Sequence, residues 1–237
     1  MESTHVEYNT PKYSHLDIDL EKGVKPITVC LKTTSEQESL LSEEFEKFAP
    51  YSRQEDYDRP SSARSPLPHY FVSQISDKNK YSEGYMFCTG IVVVGIDKET
   101  KQNISFISHQ NPMRFLDVES REKAFTDSFV EMIQNFISRC EPRSVDALIV
   151  GGNNMGDNYN VFKKSVQILS AAISPVLGFK PIVATGPKLG GGVTSIFFDN
   201  KNRRLYLLMP EQSHSKVYED FKPDDIEYQL KKYEETE

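Results

Sequence analysis

The stretch GYMFCTGIVVVGIDKETKQNISFISH, residues 84–109, decides the fold. Its first part, residues 84–97, is a long apolar run whose isoleucine and valine content is typical of a buried strand. The polar segment 97–103 predicts a turn, and residues 103–109 predict a return strand. The stretch therefore predicts an antiparallel hairpin with a buried first strand.

Helices and strands are predicted in mixed order around this hairpin. Residues 119–140 and 160–178 carry apolar side chains at spacings of three and four, which predicts two helices that are each buried along one side. Further strands are predicted by short apolar runs at 69–75, 145–152, 180–186, 191–199 and 204–210, with a tight turn at Asn200, Lys201 and Asn202. Two helices and about six strands in mixed order indicate a layered α/β or α+β domain.

Residues 1–66 differ from this domain in composition and are interpreted as an N-terminal extension. A short strand is predicted at 26–32 and a helix at 35–49, the latter with Ser35 as N-cap and Leu40, Leu41, Phe45 and Phe48 along one side. The polar segment 50–68 contains several prolines and predicts a linker or long loop. The organisation expected is an extension (1–66), a domain (67–210) and an acidic C-terminal tail (211–237).

Composition and charge narrow the class of protein. The net charge is −7, and its acidic excess lies in the flanks: residues 217–237 have 3 basic against 8 acidic side chains. A nucleic-acid-binding domain normally carries a basic stripe, so nucleic acid is not expected as a partner. No apolar run approaches the length of a membrane span, so membrane insertion is not expected. The N-terminus is polar and shows no secretory signal, so a soluble protein is expected.

Cys88 and His109 are the first candidates for chemistry. His109 ends the return strand of the hairpin, and neighbouring antiparallel strands bring such residues side by side. A nearby imidazole is what turns a thiol into a nucleophile at neutral pH. The alternative left open is that Cys88 is an inert core residue, which is common for cysteines outside disulfides.

The glycines after the later strands are weaker candidates. Gly151 and Gly152 end a predicted strand and precede Asn153, where the backbone could approach a substrate or simply turn the chain. The segment GPKLGGG, residues 186–192, lacks the order of a phosphate-binding loop and leads into a strand. Cysteine and histidine spacing matches no zinc site, so no metal is expected.

The order of these features resembles the chemoreceptor glutamine deamidase family, CheD, over roughly residues 67–210. The most specific pieces are VGGNNM (150–155) and GGVTSIFFDNKNRRLYL (191–207). The resemblance implies an α/β (α+β) layered sandwich with mixed, largely antiparallel sheets and two packed helices. It also implies that Cys88 is the nucleophile and His109 the base. The family's threonine six residues before the cysteine, which orients the histidine, is Ser82 here, and its small residues just before the cysteine are Met86 and Phe87 here.

The function that this resemblance implies is cysteine-dependent deamidation of protein glutamine. The thiolate attacks the side-chain carboxamide, backbone N–H groups near Cys88 and Thr89 are candidates for the oxyanion, and a thioester is hydrolysed to glutamate. No cofactor is required. The expected partners are a protein substrate with an accessible glutamine and a regulatory protein, in the cytoplasm or, alternatively, as an exported effector. The alternatives are an inactive binding module of the same fold, and a related amidohydrolase, peptidase or transglutaminase-like enzyme.

Overall fold

The computed structural model describes residues 7–8, 26–33, 37–41, 44–47, 70–85, 88–112, 116, 119–151, 159–184 and 195–209. The strands in these residues are β1 (Glu7–Tyr8), β2 (Thr28–Thr33), β3 (Phe45–Lys47), β4 (Tyr70–Val72), β5 (Asn79–Glu83), β6 (Thr89–Ile96), β7 (Asn103–Gln110), β8 (Asp146–Gly151), β9 (Ile182–Ala184), β10 (Ser195–Asp199) and β11 (Arg204–Met209). The helices are α1 (Gln37–Leu40), α2 (Glu119–Arg139) and α3 (Tyr159–Leu177).

The strands form two sheets. The six-stranded sheet has the order β1-β2-β11-β10-β5-β3, and the five-stranded sheet has the order β4-β7-β6-β8-β9. Most neighbouring pairs are antiparallel, the exceptions being β2 with β11, β3 with β5, and β8 with β9. The predicted hairpin is present as β6 and β7 in the five-stranded sheet.

Alternation along the strands divides the buried side chains between two main cores. One face of the five-stranded sheet packs on the six-stranded sheet, with Val92, Ile107 and Val150 meeting Phe198 and Leu207; we call this the central core. Its other face packs on α2 and α3 through a set of buried apolar residues that includes Ile91, Phe106, Phe125, Phe129, Ile149, Leu169 and Ile173. The fold is therefore a layered α+β sandwich with largely antiparallel sheets and two packed helices, as predicted.

The N-terminal segment contributes strands to this sandwich. The strand predicted at 26–32 is present as β2, which runs parallel to β11, and just before it the Ile27 N–H donates to Asp146 Oδ2 at 2.7 Å. The prediction of one helix over 35–49 is wrong. A four-residue helix, α1, is followed by strand β3, because Phe45 packs edge-on against Tyr81 and Phe197 on the outer face of the six-stranded sheet. A tertiary contact thus overrides the helical spacing of the apolar residues.

The remaining predictions about organisation fall on residues that the structure does not describe. These are the linker at 50–68, the boundary between residues 66 and 67, and the acidic tail 211–237. Of the helices in the described part of the chain, none combines the length and apolar character that a membrane-spanning helix needs.

Candidate active site

His109 lies between the two sheets. It is the penultimate residue of β7, on the face that carries Ile107 into the central core, and it is fully buried. Its Nδ1 is 2.9 Å from the hydroxyl oxygen of Ser82, a hydrogen bond that crosses from one sheet to the other. Ser82 lies on β5 opposite Ile196, a central-core residue, and is itself fully buried. The structure therefore brings together two residues that are 27 positions apart and that the resemblance assigns to one site.

Cys88 lies in the turn that leads into β6. Its N–H donates to the Tyr85 carbonyl at 3.3 Å, and β6 begins at the next residue, so the prediction that Cys88 lies in the middle of a strand is wrong. Thr89 lies opposite Gln110 in the hairpin, so Cys88 comes one residue before the ladder and His109 one residue inside it. Cys88 is 3% exposed. Both members of the nucleophile–base pair that the sequence predicts are buried, and their pairing stays a prediction.

The hairpin ladder is interrupted beside these residues. Strands β6 and β7 pair at Thr89–Gln110 and again from Val92–Ile107 onward. Between these points the Ile91 N–H donates to the side-chain oxygen of Ser108 at 3.0 Å, and the Tyr85 hydroxyl donates to the Ser108 carbonyl at 2.8 Å. The phenol therefore satisfies a buried backbone acceptor that the ladder leaves open.

The Tyr85 ring occupies a notch lined by two glycines. A Cβ at Gly90 would stand 2.0 Å from the Ser108 carbonyl oxygen and 3.1 Å from the Tyr85 ring. A Cβ at Gly151 would stand 2.5 Å from both the Cys88 carbonyl oxygen and the Tyr85 ring, and Gly151 also has a φ of +81°. In this notch the ring packs on the His109 imidazole, with centroids 4.1 Å apart and planes inclined by 34°.

Two of the weaker candidates have described positions. Packing against Tyr85 and Cys88 requires a glycine at position 151, and the role of Gly151 in a substrate cleft stays a prediction. Gly152 and Asn153 lie outside the described residues. Thr89 directs its hydroxyl to the helix side of the sheet, 2.7 Å from that of Ser165 on α3. An oxyanion role for Thr89 therefore concerns its backbone N–H and stays a prediction.

Burial controls the protonation of the site. Desolvation lowers the pKa of His109 from 6.5 to about 3, so the imidazole is neutral at neutral pH. Desolvation also raises the pKa of Tyr85 well above its ordinary value of 10, so the phenol keeps its proton. A thiolate–imidazolium pair is therefore disfavoured in this structure. His109 would act by accepting the thiol proton as the sulfur attacks its target.

Sequence reasoning missed Tyr85 and the strand that carries Ser82. Strand β5 has the sequence NKYSE, which lacks the apolar run that marks a buried strand. The one signal for Tyr85 was a large aromatic residue three positions before Cys88, in a region where Gly90 and Gly151 leave room for a ring.

Within the described ranges, no group of three or more histidine, cysteine, aspartate or glutamate side chains is arranged to hold a metal ion.

Comparison with protein-family models, with curated proteins and with solved structures finds no match to this chain.

Proposed function

We propose that the protein is a cysteine-dependent protein glutamine deamidase of the CheD-like type. The hydrogen bond between Ser82 and His109 carries the proposal. The resemblance assigns the hydroxyl at position 82 to orient the imidazole of His109, and the two atoms are 2.9 Å apart although they come from different sheets. In the proposed mechanism the hydroxyl on Nδ1 orients the ring, and the other ring nitrogen, Nε2, accepts the thiol proton of Cys88.

The reaction begins with proton transfer and attack. Nε2 of His109 accepts the thiol proton of Cys88 as the sulfur forms a bond to the carboxamide carbon of a substrate glutamine. The Thr89 N–H is the candidate donor to the tetrahedral oxyanion, since the Cys88 N–H already donates to the Tyr85 carbonyl. The carbon–nitrogen bond then breaks, and ammonia leaves with the proton that His109 returns.

Hydrolysis completes the cycle. The remaining thioester joins Cys88 to the substrate, and a water molecule that gives its proton to His109 attacks the thioester carbon. The carbon–sulfur bond breaks and the thiol is regenerated. Glutamine and water thus become glutamate and ammonia, with no redox change and no co-reactant other than water.

The second candidate is a catalytically inactive protein-binding module of the same fold. The observation that favours it is burial: Cys88 is 3% exposed, against 1% for Cys30 and 2% for Cys140, and His109 is fully buried. A related amidohydrolase or a transglutaminase-like enzyme would use the same Cys88 and His109, and differs from a deamidase in its product.

The product identifies the reaction. The protein is incubated with unfolded casein, or with a chemoreceptor fragment as the resemblance suggests, and ammonia and intact substrate mass are followed. A deamidase releases ammonia and raises the substrate mass by about one dalton per event, because an amide becomes an acid. A peptidase would shorten the substrate and a transglutaminase would cross-link it. Cys88→Ser must abolish the reaction, while Cys140→Ser is the matched control from another buried cysteine.

Thiol reactivity separates the enzyme from the binding module. Iodoacetamide labelling of the folded protein is followed by peptide mapping of Cys30, Cys88 and Cys140, which have nearly equal exposure. The deamidase proposal predicts that Cys88 labels fastest and that His109→Asn removes its advantage. Equal, slow labelling of all three, together with no ammonia release, would establish the binding module instead.

The proposal also assigns the partners and compartment. The substrate is a protein that presents an accessible glutamine, a regulatory protein partner is expected, and the reaction takes place in the cytoplasm. Action of an exported effector on a host protein is the alternative. Expression of a tagged protein and fractionation of the producing cells distinguishes retention from export.

A further inference from the structure

Strand β3 pairs with β5 at the edge of the six-stranded sheet and lies outside the central core. It is three residues long and runs parallel to β5, and none of its side chains is fully buried. Strand β2, from the same N-terminal segment, is six residues long and places Val29 in the central core, fully buried. Because three parallel backbone pairs alone hold a strand weakly, side-chain contacts decide how firmly β3 is bound.

The two ends of this segment form ion pairs with β5 and its flank. Glu44, just before β3, lies 2.8 Å from the ammonium of Lys78, just before β5. Lys47, the last residue of β3, pairs with Glu83, the last residue of β5. These four side chains are between 34% and 81% exposed, so salt screens both pairs. A charge of opposite sign at each end fixes the direction and the register of an extended segment along β5.

The two residues between the ion pairs contact groups on opposite faces of the sheet. The Phe45 ring lies on the outer face, edge-on to Tyr81 and Phe197, with centroids 5.7 and 6.2 Å away. Alternation turns Glu46 to the other face, where its Oε1 accepts from the Gln74 N–H at 2.9 Å. Four successive residues of the chain thus each meet a group that suits their chemistry, in the order acidic, aromatic, acidic, basic.

We propose that the outer edge of β5 is a docking site for an extended segment of a partner protein with the order acidic–aromatic–acidic–basic, and that β3 occupies this site until the partner displaces it. Addition of a strand to a sheet edge is a common mode of peptide recognition, in which backbone pairing gives affinity and side-chain contacts give specificity. Strand β3 suits a displaceable occupant because its pairing is short and its charged contacts are exposed.

A labelled peptide tests whether this site binds a segment supplied from outside. The probe is fluorescein-labelled SEEFEKFA, which reproduces residues 42–49, and fluorescence anisotropy follows its binding to the full chain. Phe45→Ala weakens only the internal competitor, so this variant is expected to bind the probe with a Kd roughly tenfold lower than the wild type. Phe179→Ala removes another partly buried phenylalanine, which packs on the helix side of the five-stranded sheet, and must not gain affinity.

Charge reversal locates the probe on the β5 edge. Lys78→Glu, added to Phe45→Ala, should weaken binding of the probe and favour the peptide SEKFEKFA, whose lysine replaces the residue that meets position 78. The peptide SEESEKFA lacks the aromatic ring and should bind Phe45→Ala roughly tenfold more weakly than the probe. Higher salt should weaken binding of the probe, because it screens both ion pairs.

A second variant serves if Phe45→Ala does not fold. Glu44→Lys combined with Lys47→Glu changes only exposed side chains and turns both ion pairs into repulsions, so it should also gain affinity for the probe. No binding of the probe by either variant in its folded form, or binding that ignores the charge at position 78, overturns the proposal. A wild-type dimer that the probe separates into monomers would assign the site to a second copy of the chain and overturn the assignment to a different protein. These measurements do not involve Cys88 or His109, so their outcome is independent of the proposed deamidase function.

Discussion

Replacement of Gly151 by alanine tests how tightly Tyr85 and Cys88 are packed. Its matched control is Gly178→Ala, because the two glycines have nearly the same backbone angle, with φ of +81° and +78°. Gly178 follows the last residue of α3, where its N–H donates to the Ser174 carbonyl at 2.9 Å, and a Cβ there meets no atom within 4 Å. A Cβ at Gly151 stands 2.5 Å from two atoms.

Both replacements lower the free energy of unfolding through backbone strain, and Gly151→Ala lowers it further through overpacking. An alanine held in the left-handed region costs about 1–2 kcal/mol, and both variants incur this. Overpacking against the Cys88 carbonyl and the Tyr85 ring adds about 1–3 kcal/mol for Gly151→Ala alone. The expected losses in free energy of unfolding are therefore ~1–2 kcal/mol for Gly178→Ala and ~2–5 kcal/mol for Gly151→Ala.

Urea unfolding followed by far-ultraviolet circular dichroism measures both variants. The difference between them, ~1–3 kcal/mol, corresponds to a further fall in Tm of ~2–12 °C for a protein of this size. Losses that agree within ~0.5 kcal/mol would show that the space beside Gly151 is not filled as the structure has it. At a temperature where both are folded, the proposed deamidation should be impaired in Gly151→Ala only, because the displaced atoms belong to Cys88 and Tyr85.

Three other outcomes are expected. The pKa of His109 is about 3 in the folded protein and about 6.5 in the unfolded chain, so between pH 3 and pH 6.5 the unfolded state binds an extra proton. The free energy of unfolding therefore falls by up to about 1.4 kcal/mol per pH unit as the pH drops through that window. Urea unfolding at pH 7, 5.5 and 4.5 should show a shallower fall in His109→Asn, and equal slopes would contradict the burial argument. Asp146→Ala should lower the free energy of unfolding by about 3–5 kcal/mol in the same assay, because it removes the carboxylate that accepts from the Ile27 N–H and that interacts with the buried charge of Arg203. A loss below ~1 kcal/mol would mean that Asp146 does not join the N-terminal segment to the domain. Thr89→Val should lower the free energy of unfolding by about 1–2 kcal/mol, because the hydroxyl contact with Ser165 is lost. It should retain kcat, because only the backbone N–H of Thr89 is assigned to the proposed reaction. A large fall in kcat would transfer that role to the side chain.

The strongly patterned elements could be predicted from the sequence because their burial is visible in composition. Strand β6 is a continuous apolar run, and α2 and α3 show apolar residues at helical spacing on the side that faces the five-stranded sheet. The contact between Ser82 and His109 was expected only through the resemblance. Nothing in the local pattern of residues 79–83 points to it.

The elements that escaped prediction are those whose burial depends on distant partners. Lys80 on β5 is buried because its ammonium donates to the Ser76 carbonyl, the Ser76 hydroxyl and the Lys78 carbonyl, an arrangement that hydrophobicity does not show. Strand β3 was predicted as helix because the aromatic partners of Phe45 lie far along the chain. Such contacts form only in the assembled sandwich, so no window of sequence contains them.

The burial and the neutrality of the His109 imidazole follow from one packing arrangement. The absence of side chains at Gly90 and Gly151 admits the Tyr85 ring, and the ring covers His109 and removes it from water. Removal from water keeps the imidazole neutral, and only in a neutral imidazole does the position of the single proton matter, since both nitrogens of an imidazolium are donors. In the proposed reaction the thiol loses its proton only as it attacks, so a neutral acceptor is needed and not a resting thiolate, and Cys88, which is 3% exposed, must become accessible to the substrate carboxamide.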